Sequence, residues 1–395
     1  MIKYKYLIIG GGMTGHSAAT GIRSVDKDGS LGMFTEEPNL PYERPPLSKK
    51  LWTGKPFESI WCPVDDLCMD IHTTESVMGI DRAAKKITVK KGTEYGYEKL
   101  LLATGGTPRK LDTGEGLINY FRTIQDYQSL RADTEKADDF AIIGGGFIGS
   151  EIAAALTMNG KKVSSIYMED GITARNLPHD LAQYVTKYFQ DKGVSVYPES
   201  SIVKVEQKKD KTSLVFKNTK NVQTEIVAQR VVAGLGIIPN TQLANASGLK
   251  VENGIVVNEY LQTDDPNVFS AGDVANFFDP VLNVRRRVEH ADNAYTMGLA
   301  AGINMAGEMK PWNYLPYFYS DLFELGYEAV GELDARLETY ADWIDPFKKG
   351  VVYYLKDGRI RGVLLWNVWE KVPAARETIA MRGPFTSQNL KGLIK

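Results

Sequence analysis

Gly10-Gly11-Gly12-Met13-Thr14-Gly15 stands directly after the apolar run Tyr4-Lys5-Tyr6-Leu7-Ile8-Ile9 and directly before His16-Ser17-Ala18-Ala19. A strand that empties into a glycine turn and continues as a helix is the setting in which G-x-G-x-x-G reads as a dinucleotide fingerprint. Gly10 permits the tight turn, Gly12 lets the backbone approach a pyrophosphate, and Gly15 allows close helix–strand packing. The phosphates then meet the free N–H groups and positive dipole end of the helix. Glu36 stands 21 residues past Gly15, after the apolar run Leu31 to Phe34, where a carboxylate accepts hydrogen bonds from ribose hydroxyls.

The same arrangement returns further along the chain. Phe140-Ala141-Ile142-Ile143 leads into Gly144-Gly145-Gly146-Phe147-Ile148-Gly149, and Ser150-Glu151-Ile152-Ala153-Ala154 opens the helix. Glu169 follows Gly149 by 20 residues, after the strand-like Val163 to Met168. One fingerprint is a weak signal. Two, each with its acidic partner, point to two bound dinucleotides. Glu169 favours a 2′-hydroxyl over a 2′-phosphate, hence NADH over NADPH, and Arg175 softens that preference. Two further strand ends lie between and beyond these units. They are Lys99-Leu100-Leu101-Leu102-Ala103-Thr104-Gly105-Gly106 and Asn267-Val268-Phe269-Ser270-Ala271-Gly272-Asp273-Val274.

A chain of 395 residues exceeds one ordinary core and predicts several domains. Its 47 basic residues nearly balance 49 acidic ones, which argues against nucleic acid or an anionic membrane as a global partner. Arg285-Arg286-Arg287 is the densest basic cluster and reads as a solvated or phosphate-facing patch. No stretch reaches the ~18–20 apolar residues of a membrane span. The first motif begins within ten residues of Met1, leaving no room for a presequence, so a cytoplasmic form is expected. Cys62 and Cys68 are too few for a disulfide framework or a four-ligand metal site, and no metal is expected.

The order G-x-G-x-x-G, A-T-G, G-x-G-x-x-G, G-x-x-P-N, A-G-D resembles the FAD/NAD-linked reductases that include glutathione reductase, ferredoxin and rubredoxin reductases, and apoptosis-inducing factor. The resemblance covers essentially the whole chain. It narrows toward apoptosis-inducing factor and ferredoxin reductases at Leu40-Pro41-Tyr42-Glu43-Arg44-Pro45-Pro46-Leu47-Ser48-Lys49, at Leu102 to Arg109, at Arg285 to His290, and at the C-terminal Tyr319-Ser320-Asp321-Leu322, Gly326 to Gly331 and Val363 to Asn367. It implies an α/β fold: two Rossmann-like nucleotide-binding domains, for FAD and NAD, plus a C-terminal α+β domain with an antiparallel sheet. The expected boundaries are 1–120 and 246–308 for the FAD domain, 121–245 for the NAD domain and 309–395 for the last. Dithiol members carry redox cysteines near residues 40–49. This chain has none there, so cysteine-based disulfide reduction is not expected.

The resemblance also implies roles. Lys49 and Glu151 are placed beside flavin N5 as an ion pair, and a buried ammonium needs such a partner. The plainer alternative for Glu151 is a first-turn carboxylate that satisfies the helix dipole. Phe147 either covers the flavin face or packs between domains. Arg44 and Arg109 pair with the FAD pyrophosphate, Asp273 holds the ribityl chain, and Val77 meets the adenine end through its backbone. Thr104, Gly105 and Gly272 belong to the cofactor-binding strand ends, and Glu289 and His290 lie along the flavin and nicotinamide. Gly236 leaves room for the carboxamide, while Glu328 and Asn367 close the nicotinamide pocket. Tyr319 takes a position where that family usually has Trp.

The C-terminal region reads as a hairpin, Gly350 to Leu355 and Ile360 to Trp366 around Asp357-Gly358, with a helix over Pro373 to Met381. Trp312, Tyr314, Tyr317, Phe318 and Tyr319 read as packing rather than an electron relay. The function expected is an NADH-dependent flavin reductase whose electrons leave to a separate acceptor: an iron–sulfur protein, a quinone or a small oxidant. The competing reading is a redox sensor or assembly factor of apoptosis-inducing-factor type, with a long-lived charge-transfer complex and little turnover. A homodimer is compatible with either.

Overall fold

The computed structural model describes residues 1–394. The chain divides into two compact units, each assembled from three separate stretches. One comprises Met1–Glu43, Glu58–Thr107 and Ile238–Pro316; the other comprises Arg44–Phe57, Pro108–Ile237 and Tyr317–Lys395.

In the first unit the strand Ile2–Ile9 pairs in parallel with Leu31–Phe34 on one side and Glu94–Leu102 on the other. Asp70–His72 extends the sheet beyond Leu31–Phe34. Glu94–Leu102 forks. Its first residues pair antiparallel with Lys86–Val89, and Leu100 to Leu102 pair in parallel with Val268–Ser270. Leu7, Ile8, Leu100, Leu101 and Leu102 are fully buried, the unbroken apolar runs of a sheet covered on both faces. The helices Met13–Val25 and Ala291–Met305 pack closely because small residues face one another. A Cβ at Gly298 would lie 2.5 Å from the Thr14 carbonyl oxygen, and one at Gly302 would collide with the carbonyl of Ala18.

The second unit repeats the parallel design. Its five strands run Ser195–Tyr197, Lys162–Ile166, Asp139–Ile143, Arg230–Ala233 and Ile118–Tyr120 across the sheet. A three-stranded antiparallel sheet of Ser200–Lys208, Lys211–Asn218 and Gln223–Ala228 accompanies it. The same unit holds a five-stranded antiparallel sheet in the order Tyr317–Leu322, Leu325–Gly331, Arg359–Trp366, Lys349–Lys356 and Glu338–Asp345. Asp357 and Gly358 turn its hairpin at φ of 52° and 68°, the left-handed pair that Asp-Gly favours. Tyr327 and Trp366 stack at 5.6 Å between ring centres in its core. The following helix spans Val372–Ala380, one residue earlier than the proline signal predicts. The fold is thus α/β with two nucleotide-binding-type parallel sheets and a C-terminal antiparallel sheet.

Arg285 to Arg287 are only in part the solvated or phosphate-facing patch that the sequence suggests: Arg285 is exposed, and Arg286 and Arg287 are half-buried. Arg285 donates to the carbonyls of Val257 and Asn276, Arg286 pairs with buried Asp279 at 2.7 Å, and Arg287 donates to the Asp273 carbonyl and pairs with Glu289 at 2.6 Å. Backbone oxygens and a buried carboxylate of the same unit absorb the three charges.

Candidate functional site: two nucleotide cradles and a buried ion pair

Each glycine turn separates its residues by what surrounds them. In the first unit Gly10 has φ +120°, and a Cβ there would collide with the Ala103 carbonyl; one at Gly15 would collide with the Gly10 carbonyl. A Cβ at Gly12, by contrast, meets nothing within 4 Å. The second unit repeats this point for point. Gly144 (φ +110°) abuts the Gly234 carbonyl, Gly149 abuts the Gly144 carbonyl, and Gly146 faces open space. Gly12 and Gly146 are the N-caps of their helices, and neither makes a side-chain cap, so the first-turn N–H groups point outward. Packing explains the outer glycines. Only close approach of a ligand explains the middle ones, so the residues fit a pyrophosphate in each cradle.

Around the first cradle, Glu36 is exposed just beyond Leu31–Phe34, and Val77 is buried at the start of Val77–Asp81. Thr104 donates to the Asn240 carbonyl at 2.7 Å, and Asn240 Nδ2 returns a bond to the Thr104 carbonyl. Gly105 (φ +60°) and Gly272 (φ +76°) sit in left-handed turns; a side chain at Gly272 would collide with Thr14. Arg287 joins two predicted residues, Asp273 and Glu289. His290 is the N-cap of Ala291–Met305, with Asp292 in its first turn. In the second unit Glu169 is paired with Arg175 at 2.5 Å, and the arginine side chain is 76 % exposed. Gly236 (φ +78°) faces open space, and its carbonyl accepts from Arg109 N. Arg44 donates to the Arg122 carbonyl at 3.1 Å.

Within the second unit the structure brings Lys49, Glu151 and Tyr319 together. Lys49 Nζ lies 2.8 Å from Glu151 Oε1, with side chains only 10 % and 2 % exposed. The ammonium also sits 5.1 Å from the Tyr319 ring centre, a cation–π contact. The 3₁₀ turn Pro45–Ser48 delivers Lys49, anchored by Trp52 Nε1 donating to the Leu47 carbonyl at 2.7 Å and by Trp52 packing edge-on to Tyr127. Phe147, the first helical residue after Gly146, meets Phe318 edge-on at 5.2 Å. Two residues that the sequence reading passed over complete the cluster: Ser48 donates to Glu151 Oε2 at 2.6 Å, and Ser320 to Oε1 at 2.7 Å. Asp321, beside them, has its carboxyl pushed above the usual range by burial, against the pull of Lys49. Glu328 is likewise raised by burial. Asn367 accepts from Gly326 N and donates to the Lys348 carbonyl, both at 2.8 Å, clasping strands of the C-terminal sheet.

The cysteines lie in the first unit. Cys62 is buried, and burial with the nearby Glu43 charge pushes its thiol up to about 11; Cys68 is exposed. A raised thiol is a poor nucleophile at neutral pH.

A chain that cradles one dinucleotide in each of two α/β units belongs to the class of two-nucleotide flavoprotein oxidoreductases. The sequence model of the pyridine nucleotide-disulphide oxidoreductase family matches residues 4–298, and the chain belongs to that family. The C-terminal domain model of mitochondrion-associated apoptosis-inducing factor matches residues 301–346 and 340–381. The chain is 32 % identical to apoptosis-inducing factor 1, mitochondrial, of Dictyostelium discoideum, over 96 % of this chain and 79 % of that protein. It is 30 % identical to the ferredoxin–NAD(+) reductase component of the anthranilate 1,2-dioxygenase system of Burkholderia cepacia, over 95 % and 94 %. The crystal structure of the covalent putidaredoxin reductase–putidaredoxin complex superposes with a TM-score of 0.90 at 27 % identity, covering 99 % of this chain and 96 % of that one. The protein is an FAD-dependent NAD(P)H oxidoreductase, with FAD and NADH as its cofactors. Among the described residues no helix is long and apolar enough to cross a membrane.

Proposed function

We propose that the protein passes electrons from NADH through FAD to a small redox protein of the ferredoxin kind. The observation that carries this is the buried Lys49–Glu151 pair: the segment that in dithiol relatives supplies redox cysteines supplies an ammonium instead. Bound FAD would supply the two-electron chemistry that takes a hydride from NADH and the one-electron chemistry that passes its electrons singly to two acceptor molecules, with release of a proton. Lys49 places positive charge at the ring, and Glu151 keeps that charge in place. The N–H groups after Gly12 bind the FAD pyrophosphate, and the turn Gly10 to Gly15 shapes their approach. Arg44 and Arg109 neutralise the pyrophosphate, Glu36 binds ribose, Asp273 the ribityl chain, and Val77 the adenine end. Thr104, Gly105 and Gly272 shape the strand ends against it. The turn from Gly144 through Gly146 to Gly149 binds NADH, with Glu169 and Arg175 at the adenosine ribose and Gly236 at the carboxamide. Phe147 and Tyr319 exclude water, Glu289 and His290 orient the rings, and Glu328 and Asn367 close the nicotinamide side.

Residues 1–120 and 246–308 are assigned to the FAD domain, 121–245 to the NAD domain and 309–395 to the C-terminal domain. A cytoplasmic protein that can form a homodimer completes the proposal. The names of relatives favour a ferredoxin over a quinone or small oxidant.

The test is anaerobic reduction with one equivalent of NADH, followed by addition of an oxidised ferredoxin. Bleaching of the flavin and rapid recovery on adding ferredoxin are expected. A persistent long-wavelength charge-transfer band that ferredoxin does not discharge would favour the sensor reading. No bleaching at all would overturn both.

A further inference from the structure

We propose that Ser48 and Ser320 are positioning residues, which satisfy both oxygens of the Glu151 carboxylate and thereby hold the ion pair and the aim of Lys49. This rests on the reading that Lys49 acts on the flavin ring; it adds what keeps Lys49 in that state.

Glu151 is 3 % exposed, and an ionised carboxylate at that depth is costly unless each oxygen has a donor. Lys49 Nζ lies 2.8 Å from Oε1. Oε2 is served by Ser48 at 2.6 Å, and Oε1 takes a second bond from Ser320 at 2.7 Å. Both serines are themselves buried, at 3 % and 1 % exposure. A hydroxyl has one proton, and each of these is committed to the same carboxylate. Donors to the charged form favour that form. Ser48 and Lys49 are consecutive, so one turn delivers a neutral donor to one oxygen and a cation to the other. Ser320 comes from the strand Tyr317–Leu322, next to Tyr319, whose ring lies under the ammonium.

The remaining charged groups around the carboxylate do not replace these donors. Lys50 and Asp321 act at longer range, and Asp321 repels Glu151. The buried Tyr327 phenol is raised by desolvation and then by Glu151, so it stays neutral. From the strands beneath the helix, Asp139 and Lys162 pair with each other at 3.6 Å. Without a serine hydroxyl, one buried carboxylate oxygen loses a donor. A carboxylate held by fewer donors holds Lys49 less firmly, and an ammonium less firmly held offsets less of the charge on the reduced ring.

The experiment is a redox titration of the FAD-loaded protein from pH 6 to 9, comparing Ser48→Ala, Ser320→Ala, the corresponding Ser→Thr variants and Lys49→Met. Both alanine variants are expected to lower the flavin midpoint potential, by about 30 mV for a tenfold shift in a two-electron couple. The threonine variants, which keep a hydroxyl, should return the potential to that of the parent. Lys49→Met should lower the potential. If Ser320→Ala fails to retain FAD, Ser320→Cys replaces it and should shift the potential in the same direction. Unchanged potentials in the serine variants with a lowered one in Lys49→Met would overturn the proposal and leave the role of Lys49 standing. An unchanged potential in Lys49→Met would overturn that role, and the proposal with it. Loss of thermal stability in the serine variants without any change in potential would mark them as structural and overturn the proposal.

Discussion

Glu169 and Arg175 form an exposed pair in which one side chain favours a ribose hydroxyl and the other favours a phosphate in its place. An exposed pair is held by no more than about 1 kcal/mol, so a nucleotide can readily open it. Glu169→Ser frees Arg175 and removes the repulsion of a 2′-phosphate. The ratio of kcat/KM for NADPH to that for NADH is expected to rise between tenfold and a hundredfold, each tenfold being about 1.4 kcal/mol. Steady-state kinetics with both nucleotides check it, and an unchanged ratio would move the adenosine site elsewhere. At Asp321 the effect is on stability. Its folded carboxyl is raised above the unfolded value, so the native state binds more protons in that window and loses stability as pH rises through it. Asp321→Asn should therefore melt higher than the parent at pH 7, with the gap closing near pH 4; a constant gap would show another cause. How far residues were legible depended on the signal each carries. Glu36 and Glu169 follow from a fixed spacing after glycine turns. Lys49 and Glu151 came from family resemblance, and Ser48 and Ser320 from neither. Their bonds to Glu151 bridge 103 and 169 positions, and a serine has no periodicity to betray them.

At the scale of the element, the two glycine turns separate folding from binding. Gly15→Ala sets a methyl against the Gly10 carbonyl, and Gly149→Ala sets one against the Gly144 carbonyl. Each should cost about 1–3 kcal/mol, the usual range for overpacking. Gly12→Ala and Gly146→Ala meet only open space, so apo-protein stability should stay within about 0.5 kcal/mol of the parent. Their loss is in ligand: Gly12→Ala in FAD content, Gly146→Ala in NADH affinity. Thermal melting of the apo forms, FAD absorbance and NADH titration separate the four, and equal destabilisation by all would refute the division. These turns were visible because strand, glycines and helix are consecutive. The contact of Met13–Val25 with Ala291–Met305 was not, because Gly298 and Gly302 resemble ordinary helix glycines until Thr14 and Ala18 are set opposite them. The arginine run was misread in part, for the related reason that its acceptors, the carbonyls of Val257, Asn276 and Asp273, carry no sequence signature.

For the whole molecule, the sequence showed two α/β units but could not show where the chain leaves one for the other. Segments such as Arg44–Phe57 join a unit through pairings remote in sequence, including Ser48 with Glu151 and Trp52 with Tyr127. Since each unit has its own parallel sheet and its own glycine cradle, each ligand should stabilise most the strands of the sheet that empties into its cradle. A ligand that binds only the folded form adds about 2.7 kcal/mol at a hundred times its Kd. Removal of FAD is thus expected to lower hydrogen-exchange protection in Ile2–Ile9, Leu31–Phe34 and Glu94–Leu102, and to leave Asp139–Ile143, Lys162–Ile166 and Arg230–Ala233 little changed. Adding NAD+ to the apo-protein should protect the second set alone. Exchange read by mass spectrometry distinguishes the two cases, because local opening free energies differ between cooperative parts of one chain. If both sets lose protection together when FAD leaves, the interleaved segments bind the units into one cooperative body, and the ligand acts on the whole of it.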